Sequence, residues 1–365
     1  MSKDNIVLYI GGFELPDKNA AAHRVVGIAK GLRKIGYRVI FLNSLKNENT
    51  VKSRKQQYFG FDCYEYKRER IQDYLFTAKT VIAMIKRIHP LAIIAYNYPA
   101  LALQRINRLC KKYGVKCFAD TTEWYVAKEE NQIYRIIKNF DSKYRMEIVH
   151  KKLDGIIAIS RYLYNYYNEQ ISTVLIPPTV DITDVKWEKV SNIKHDNITT
   201  FIYAGSPSST KEELDVIVKN IIVASEENRI LFKIVGITKD EFIKMYSWTD
   251  VLPDIICFYG RIPHGETIKI VKDADWSIIL RRNGKAVQAG FPTKLVESIS
   301  CGTPVIVNHF SNVIDYLDET NSIILEKEND LQNAIKKACK MEKMNVNNAF
   351  DYNRYIGELR KLFVL

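Results

Sequence analysis

The residues best suited to chemistry lie between Asp275 and Asn308, where the apolar run Trp276-Ser-Ile-Ile-Leu280 breaks into a polar loop of Arg281, Arg282, Asn283, Gly284 and Lys285. Ligands of open parallel sheets bind beyond the carboxyl ends of strands, so two arginines at such an end stand ready to meet one. After the loop, Ala289-Gly-Phe-Pro-Thr-Lys294 leads into a helix whose second turn carries Glu297. Free backbone N–H groups at that helix start, its positive dipole end and the flanking basic side chains converge on an anion. A nucleoside diphosphate satisfies the anion, and the Glu297 carboxylate, further along the same face, can accept hydrogen bonds from the vicinal hydroxyls of a ribose. The competing interpretation is plain: Lys294 and Glu297, at i and i+3 on a helix, form an ordinary solvated ion pair.

Alternating elements must position these groups. Ile6-Val-Leu-Tyr-Ile10 reads as a strand, Gly11 and Gly12 follow, and Ala22, Val25, Val26, Ala29, Leu32 and Ile35 recur at helical spacing before Gly36. Residues 37–42 read as a second strand, which completes a Rossmann-like unit. Its glycine loop is not the dinucleotide fingerprint GxGxxG, and no acid closes the second strand. Helical stretches at 73–88, 100–113, 135–152 and 161–168 then alternate with strand-like runs at 91–96, 115–119 and 155–160. A strand ending at Pro177 and Pro178 closes this half, and the polar stretch 188–199 reads as a linker. The same grammar restarts with strands at 200–205, 230–236, 255–259, 275–280 and 304–308, and helices at about 212–225, 266–272, 293–300, 329–339 and 347–363. The expected fold class is α/β, two Rossmann-like domains facing across a cleft. The domains are 1–185 and 198–345, with a C-terminal helix, 346–365, packing back toward the N-terminal domain.

Length and composition agree with two globular domains: 365 residues, 47% hydrophobic, 26% charged, ten prolines. Six scattered cysteines without a CxxC pair or a histidine cluster read as reduced thiols, so neither a metal site nor a disulfide framework is expected. The chain starts directly on a strand and no apolar run is long enough to span a bilayer, which points to a cytoplasmic protein with at most peripheral membrane contact. Charge is uneven. Residues 1–180 hold 30 basic and 16 acidic side chains, a net +14, and the remainder is at −2. Such a field suits a polyanion or an anionic lipid surface, with Lys52, Arg54 and Lys55, Lys67, Arg68 and Arg70, and Lys111 and Lys112 as its clusters. Simple solvation is the alternative, and the absence of a basic-aromatic recognition module argues against specific nucleic-acid binding.

These segments resemble a known family, the retaining glycosyltransferases of the two-Rossmann-domain type often called family 4, and within it the capsule and exopolysaccharide enzymes. The resemblance spans nearly the whole chain. It rests on Tyr203-Ala-Gly205 with Lys211, Phe258-Tyr-Gly-Arg-Ile262, 274–281, 289–297 and Cys301-Gly-Thr-Pro-Val-Ile306. In the N-terminal half it rests on Gly11-Gly12 before Ala21-Ala-His-Arg24, then 120–125, 154–160 and Ile176-Pro-Pro178. It implies that Glu297 holds the nucleotide ribose and that Lys211 with Arg281 or Arg282 clamps the diphosphate. Gly205 and Ser206 would lie at the same donor site, Ile262 would meet the base, and Phe291, Pro292, Thr293 and Lys294 would line the donor sugar. It places the acceptor near Gly12, His23, Arg24 and Trp124, and offers Asp120 and Glu123, with Lys211 and Arg281, as the groups nearest the chemistry.

Two departures bear on activity. The first glutamate of the family's E-x7-E arrangement is Ala289 here, and the arginine that usually follows the glycine of the first C-terminal strand is Ser206. The function implied is transfer of a sugar from a UDP- or GDP-sugar substrate, with no permanently bound cofactor, to a polyprenyl-diphosphate-linked saccharide or other glycan in surface polysaccharide biosynthesis. An anionic membrane surface would be a partner, at the inner face of the plasma membrane. The alternatives are a noncatalytic nucleotide-binding subunit of a glycosyltransferase complex and a sugar-nucleotide epimerase.

Overall fold

The structure, a computed structural model, describes residues 5–16, 20–45, 53–67, 75, 77–125, 131–188, 198–209, 211–327, 330–341 and 348–363. The chain divides into two compact units. One comprises Met1–Val180, Ala289–Phe291 and Tyr352–Leu365, and the other Asp181–Gln288 and Pro292–Asp351.

The first unit runs β1 (Ile6–Gly11), α1 (Ala20–Lys34), β2 (Arg38–Leu45), β3 (Ser53–Tyr58), β4 (Phe61–Lys67), α2 (Lys79–Ile88) and β5 (Ala92–Tyr96). It continues with α3 (Ala100–Tyr113), β6 (Lys116–Thr121), α4 (Gln132–Tyr144), β7 (Gly155–Ala158), α5 (Arg161–Tyr167) and β8 (Thr173–Leu175). Its strands form one sheet in the order β3-β4-β2-β1-β5-β6-β7-β8. All neighbours are parallel except β3 and β4. Every residue of β1 is buried, because helices cover both faces of such a sheet and its inner strands become unbroken apolar runs.

In the second unit β9 (Thr199–Ala204), α6 (Leu214–Ser225), β10 (Ile230–Val235), α7 (Lys239–Tyr246), β11 (Ile256–Gly260) and α8 (His264–Asp273) come first. Then follow β12 (Trp276–Ile279), α9 (Lys285–Ala289), α10 (Thr293–Cys301), β13 (Val305–Asn308), β14 (Ser322–Leu325) and α11 (Leu331–Lys340). This sheet is parallel throughout, in the order β11-β10-β9-β12-β13-β14. Its core gathers Phe201, Tyr203, Phe232, Ile278 and Ile306 from the sheet with Leu214, Ile217, Ile221 and Ile335 from the helices. The two-domain α/β class with parallel sheets is as expected from sequence.

The last helix, α12 (Ile356–Phe363), supplies Leu359, Leu362 and Phe363 to the core of the first unit beside Val25, Leu32, Phe118 and Val174. Gly31 admits it: a Cβ there would come within 2.5 Å of Leu359 Cδ1. Several local features differ from the sequence expectation. Residues 53–67, for which no element was expected, form a β-hairpin on the edge of the first sheet. The helix expected over 135–152 starts at Gln132, where the Asn131 side chain accepts from Tyr134 N at 3.0 Å. It then loosens into a π turn at Arg145–Val149 and a 3-10 turn at His150–Lys152. Strand β14 and helix α7 have no counterpart in the expectation. Residues 189–197, most of the proposed linker, lie outside the described residues, as do Lys52, Arg68 and Arg70.

Candidate functional site

In the second sheet the chain leaves β9 in one direction through β10 and β11 and in the other through β12, β13 and β14, so the order reverses between β9 and β12. The crevice of a doubly wound sheet lies beyond the carboxyl ends of the two strands at that reversal. Gly205 follows β9 there and Arg281 follows β12. Gly236 ends β10 at φ 106°, where a Cβ would lie 2.5 Å from the carbonyl carbon of Gly205, so only glycine lets these two strand ends approach.

Lys294 comes to this point from the first turn of α10. Its ammonium donates to the Tyr203 hydroxyl at 2.7 Å, stands 3.5 Å from Glu212 Oε1 and lies 4.1 Å from the centroid of the Tyr203 ring. Its stem passes Gly205, whose hypothetical Cβ would be 3.4 Å from Lys294 Cε. Glu212 also pairs with Arg281 at 3.1 Å and accepts from Ser208 N at 3.0 Å. Glu212 and Arg281 form a backbone bridge as well, with Arg282 N donating to Lys211 O at 2.9 Å. Asn308, at the end of β13, fixes the loop after β12 by accepting from Arg281 N at 3.0 Å and donating to Arg281 O at 2.8 Å.

The electrostatics leave room for a ligand. Two cations face one carboxylate, and Arg281 Nε is buried with no hydrogen-bond partner among the described residues. A buried donor in that state costs free energy until an acceptor reaches it. Burial pulls the Lys294 pKa down to about 8, with Arg281 adding to the effect and Glu212 opposing it. Tyr203 is pushed well above the ordinary tyrosine range by burial and by Glu212, so it remains a neutral hydroxyl. An entering diphosphate would supply both the missing acceptor and the missing negative charge.

Glu297 lies one turn further along α10 and does not pair with Lys294. Its Oε1 is 3.1 Å from Nε2 of His264, the first residue of α8, two positions after the half-buried Ile262. Both side chains of this pair retain partial exposure. Lys211 and Ser206 are exposed, Arg282 is exposed with its Nε 3.9 Å from Glu213, and Phe291 and Pro292 are buried with Thr293 half-buried at the helix start. The structure therefore brings Gly205, Arg281 and Lys294 together, and the ammonium in the buried position belongs to Lys294, with the Lys211 side chain left in solvent. Ala289 is fully buried, and no carboxylate stands at that position.

The corresponding end of the first sheet is filled differently. Asp120, at the end of β6, is wholly buried and bound by Arg24 through Nε at 2.8 Å and Nη2 at 2.6 Å. The Tyr9 hydroxyl donates to its other oxygen, and Arg24 donates again to Ile176 O at 2.8 Å. This corrects two expectations: Asp120 is not displayed as a reacting group, nor Arg24 as an acceptor contact, because each neutralises the other inside the core. Trp124 is likewise buried, its ring edge-on to Tyr166 at 4.9 Å. Glu123, Gly12 and His23 are half-buried.

Sequence reasoning missed Tyr203 as a polar partner, Glu212, His264 and Asn308. Glu212 sits beside the singled-out Lys211 and reads as an ordinary acidic residue at a helix start. The available signal for His264 was its place just beyond a strand end, after Arg261-Ile-Pro263.

Two mostly parallel sheets flanked by helices, one with an anion-receptive cluster at its reversal point, define a two-domain α/β protein. Residues 186–355 match the sequence model of the family described as glycosyl transferases group 1. Among solved structures the chain is similar to OtsA, at 9% identity over 98% of this chain and 99% of that one, TM-score 0.67. It is also similar to Anabaena HepE in complex with UDP-glucose, at 13% identity over 97% and 98%, TM-score 0.61. A third is the lipopolysaccharide outer core galactosyltransferase WaaB, at 16% identity over 99% and 96%, TM-score 0.59. No curated protein matches the chain by sequence. The fold is GT-B, and the chain is a glycosyltransferase.

Proposed function

We propose that this chain is a retaining, family-4-type glycosyltransferase that moves a sugar from a UDP- or GDP-sugar to a polyprenyl-diphosphate-linked saccharide in the assembly of a surface polysaccharide, working at an anionic membrane. The observation that carries the donor half is the Lys294–Glu212–Arg281 cluster beyond β9 and β12, with Arg281 Nε awaiting an acceptor. UDP-glucose bound to HepE supports a uridine donor. The galactosyltransferase WaaB and the +14 charge of residues 1–180 support a surface-glycan acceptor at a lipid interface.

In this scheme Lys294 and Arg281 hold the diphosphate, and Glu297, oriented by His264, holds the ribose hydroxyls. Lys211 and Arg282, exposed at the rim, steer the anion without gripping it. The bond between the anomeric carbon and the diphosphate oxygen breaks as the acceptor hydroxyl attacks the same face, and the hydroxyl proton passes to the departing phosphate. Charge stabilisation of that leaving group by fixed cations is the main catalytic contribution. Glu123, half-buried and in no ion pair among the described residues, is the remaining carboxylate candidate near an acceptor in the first unit. The test is incubation of the purified chain with a panel of sugar nucleotides and lipid-linked acceptors, read by product mass spectrometry. Glycosylated lipid supports the assignment. Nucleotide binding without turnover on any acceptor favours a noncatalytic subunit, the possibility raised by Ala289 and Ser206.

A further inference from the structure

An amphipathic helix on a protein surface ordinarily turns its apolar stripe inward. In α4 the arrangement is reversed. Ile133, Ile136, Ile137 and Phe140 recur at the spacing of one helix face, and they are 72%, 66%, 55% and 65% exposed. Tyr134 beside them is exposed as well. The buried residue of α4 is Ser142, on the side opposite Ile133 and Phe140, and its hydroxyl donates to Tyr125 O at 2.7 Å. Asp141 accepts from Ala100 N at 2.9 Å, and the Tyr144 hydroxyl accepts from Gln104 Nε2 at 2.9 Å. Polar groups thus fasten α4 to α3 while the isoleucines and the phenylalanine face outward. Single exposed apolar residues are commonplace, but a contiguous set on one face marks an interaction surface.

The surrounding charge identifies the partner. The 14 residues of α3 contain no acid, and Arg105, Arg108, Lys111 and Lys112 are all exposed. On α4 itself Arg135, Lys138 and Lys143 stand against Asp141 alone, whose carboxylate is already bonded. An exposed apolar stripe within a pair of strongly basic surface helices matches the boundary of an anionic bilayer, where acyl chains take the hydrocarbon side chains and phosphates take the cations. A second copy of this chain fits less well, since a two-fold contact would set the same cations against one another. Of the clusters singled out from sequence, Lys111 and Lys112 belong to this basic surface, whereas the described residues of the first, Arg54 and Lys55, face carboxylates. Arg54 is paired with Glu65, and Lys55 lies 3.4 Å from Asp62.

We infer that α4 is a membrane-docking helix: Ile133, Ile136, Ile137 and Phe140 enter the headgroup boundary of an anionic bilayer, and the basic face of α3 lies over its phosphates. This rests on the proposed lipid-linked acceptor for its purpose only, so it is tested on bare vesicles with neither acceptor nor sugar nucleotide. The full chain is co-sedimented with vesicles of phosphatidylcholine, alone or mixed with phosphatidylglycerol, at low and moderate salt. The wild type prefers the anionic vesicles and is released by salt. Ile136→Ser with Ile137→Ser lowers partition about tenfold on either vesicle. Arg105→Glu with Arg108→Glu lowers it about tenfold or more on the anionic vesicles alone. Phe140→Trp gives a fluorescence component that shifts to the blue when anionic vesicles are added. All these side chains are exposed, so the variants melt as the wild type does.

Binding unchanged in both double variants, or Phe140→Trp emission that ignores bound vesicles, overturns the inference. So does a wild-type dimer, free of lipid, that Ile136→Ser with Ile137→Ser converts to monomer, because it assigns the face to a second copy. Nucleotide affinity, measured in parallel, separates the two proposals. Its absence from the wild type would sink the donor assignment and leave the vesicle result standing.

Discussion

The two sheets share a winding order, yet their carboxyl ends are used in opposite ways. In the first unit the charges of Asp120 and Arg24 cancel each other, with the Tyr9 hydroxyl on the second carboxylate oxygen and Ile176 O on the guanidinium. In the second, Lys294 and Arg281 share the single carboxylate of Glu212, and Arg281 Nε is left over. A balanced buried pair is a structural joint, whereas an excess of buried donors and positive charge is a binding site in waiting. Charged residues at a strand end therefore do not define a site until their partners are counted.

The comparison breaks most visibly at Asp120. Asp120→Ala strands the buried Arg24 charge and is expected to cost about 3–5 kcal/mol of stability, measured by denaturant unfolding. Replacing the pair together, Arg24→Met with Asp120→Leu, is expected to recover most of that loss. Lys294→Met makes the opposite point. The variant keeps its bulk, sheds a desolvated charge and leaves Glu212 paired with Arg281, so melting is expected to stay within a few degrees of wild type. Affinity for a nucleoside diphosphate should fall about ten- to a hundredfold, the loss of a charge-assisted hydrogen bond or two. Lys294→Ala is a poorer probe, because Lys294 is buried against Tyr203 and truncation adds a cavity. Glu297→Gln should be milder, about three- to tenfold, and should persist with a nucleoside lacking the diphosphate, where the Lys294 effect largely vanishes. Titration calorimetry with paired ligands reads both.

Much of this was legible in the sequence, for definite reasons. Inner parallel strands such as β1, β5 and β12 are buried on both faces and appear as unbroken apolar runs. The hairpin of β3 and β4 lies at the sheet edge, where buried Phe61, Cys63 and Glu65 alternate with half-buried residues and β3 itself is largely polar and exposed, so its basic residues hid the strand. Arg281, Lys294 and Glu297 could be grouped because they fall within one short segment. Glu212 and Tyr203 could not, since 82 and 91 residues separate them from Lys294 and only the sheet brings them together. Asp120 was legible as a charged residue at a strand end and Arg24 as one in the helix after the first strand, but not as each other's partners across 96 residues.

The central claim is that Lys294, charged only up to about pH 8, holds the donor diphosphate. Its pKa is depressed in the fold, so the cost of burying the charged form is full below that value and eases as pH rises toward that of an ordinary lysine. Stability from this group therefore increases across that window while its grip on an anion is lost. The most direct measurement is the affinity of a nucleoside diphosphate for the wild type and for Lys294→Arg, followed from about pH 7 to about pH 9 by calorimetry. The account predicts that the wild type weakens by up to about tenfold over the rise. Lys294→Arg, charged throughout, should stay flat. Equal and pH-independent affinity in both proteins would contradict it and remove Lys294 from the donor site.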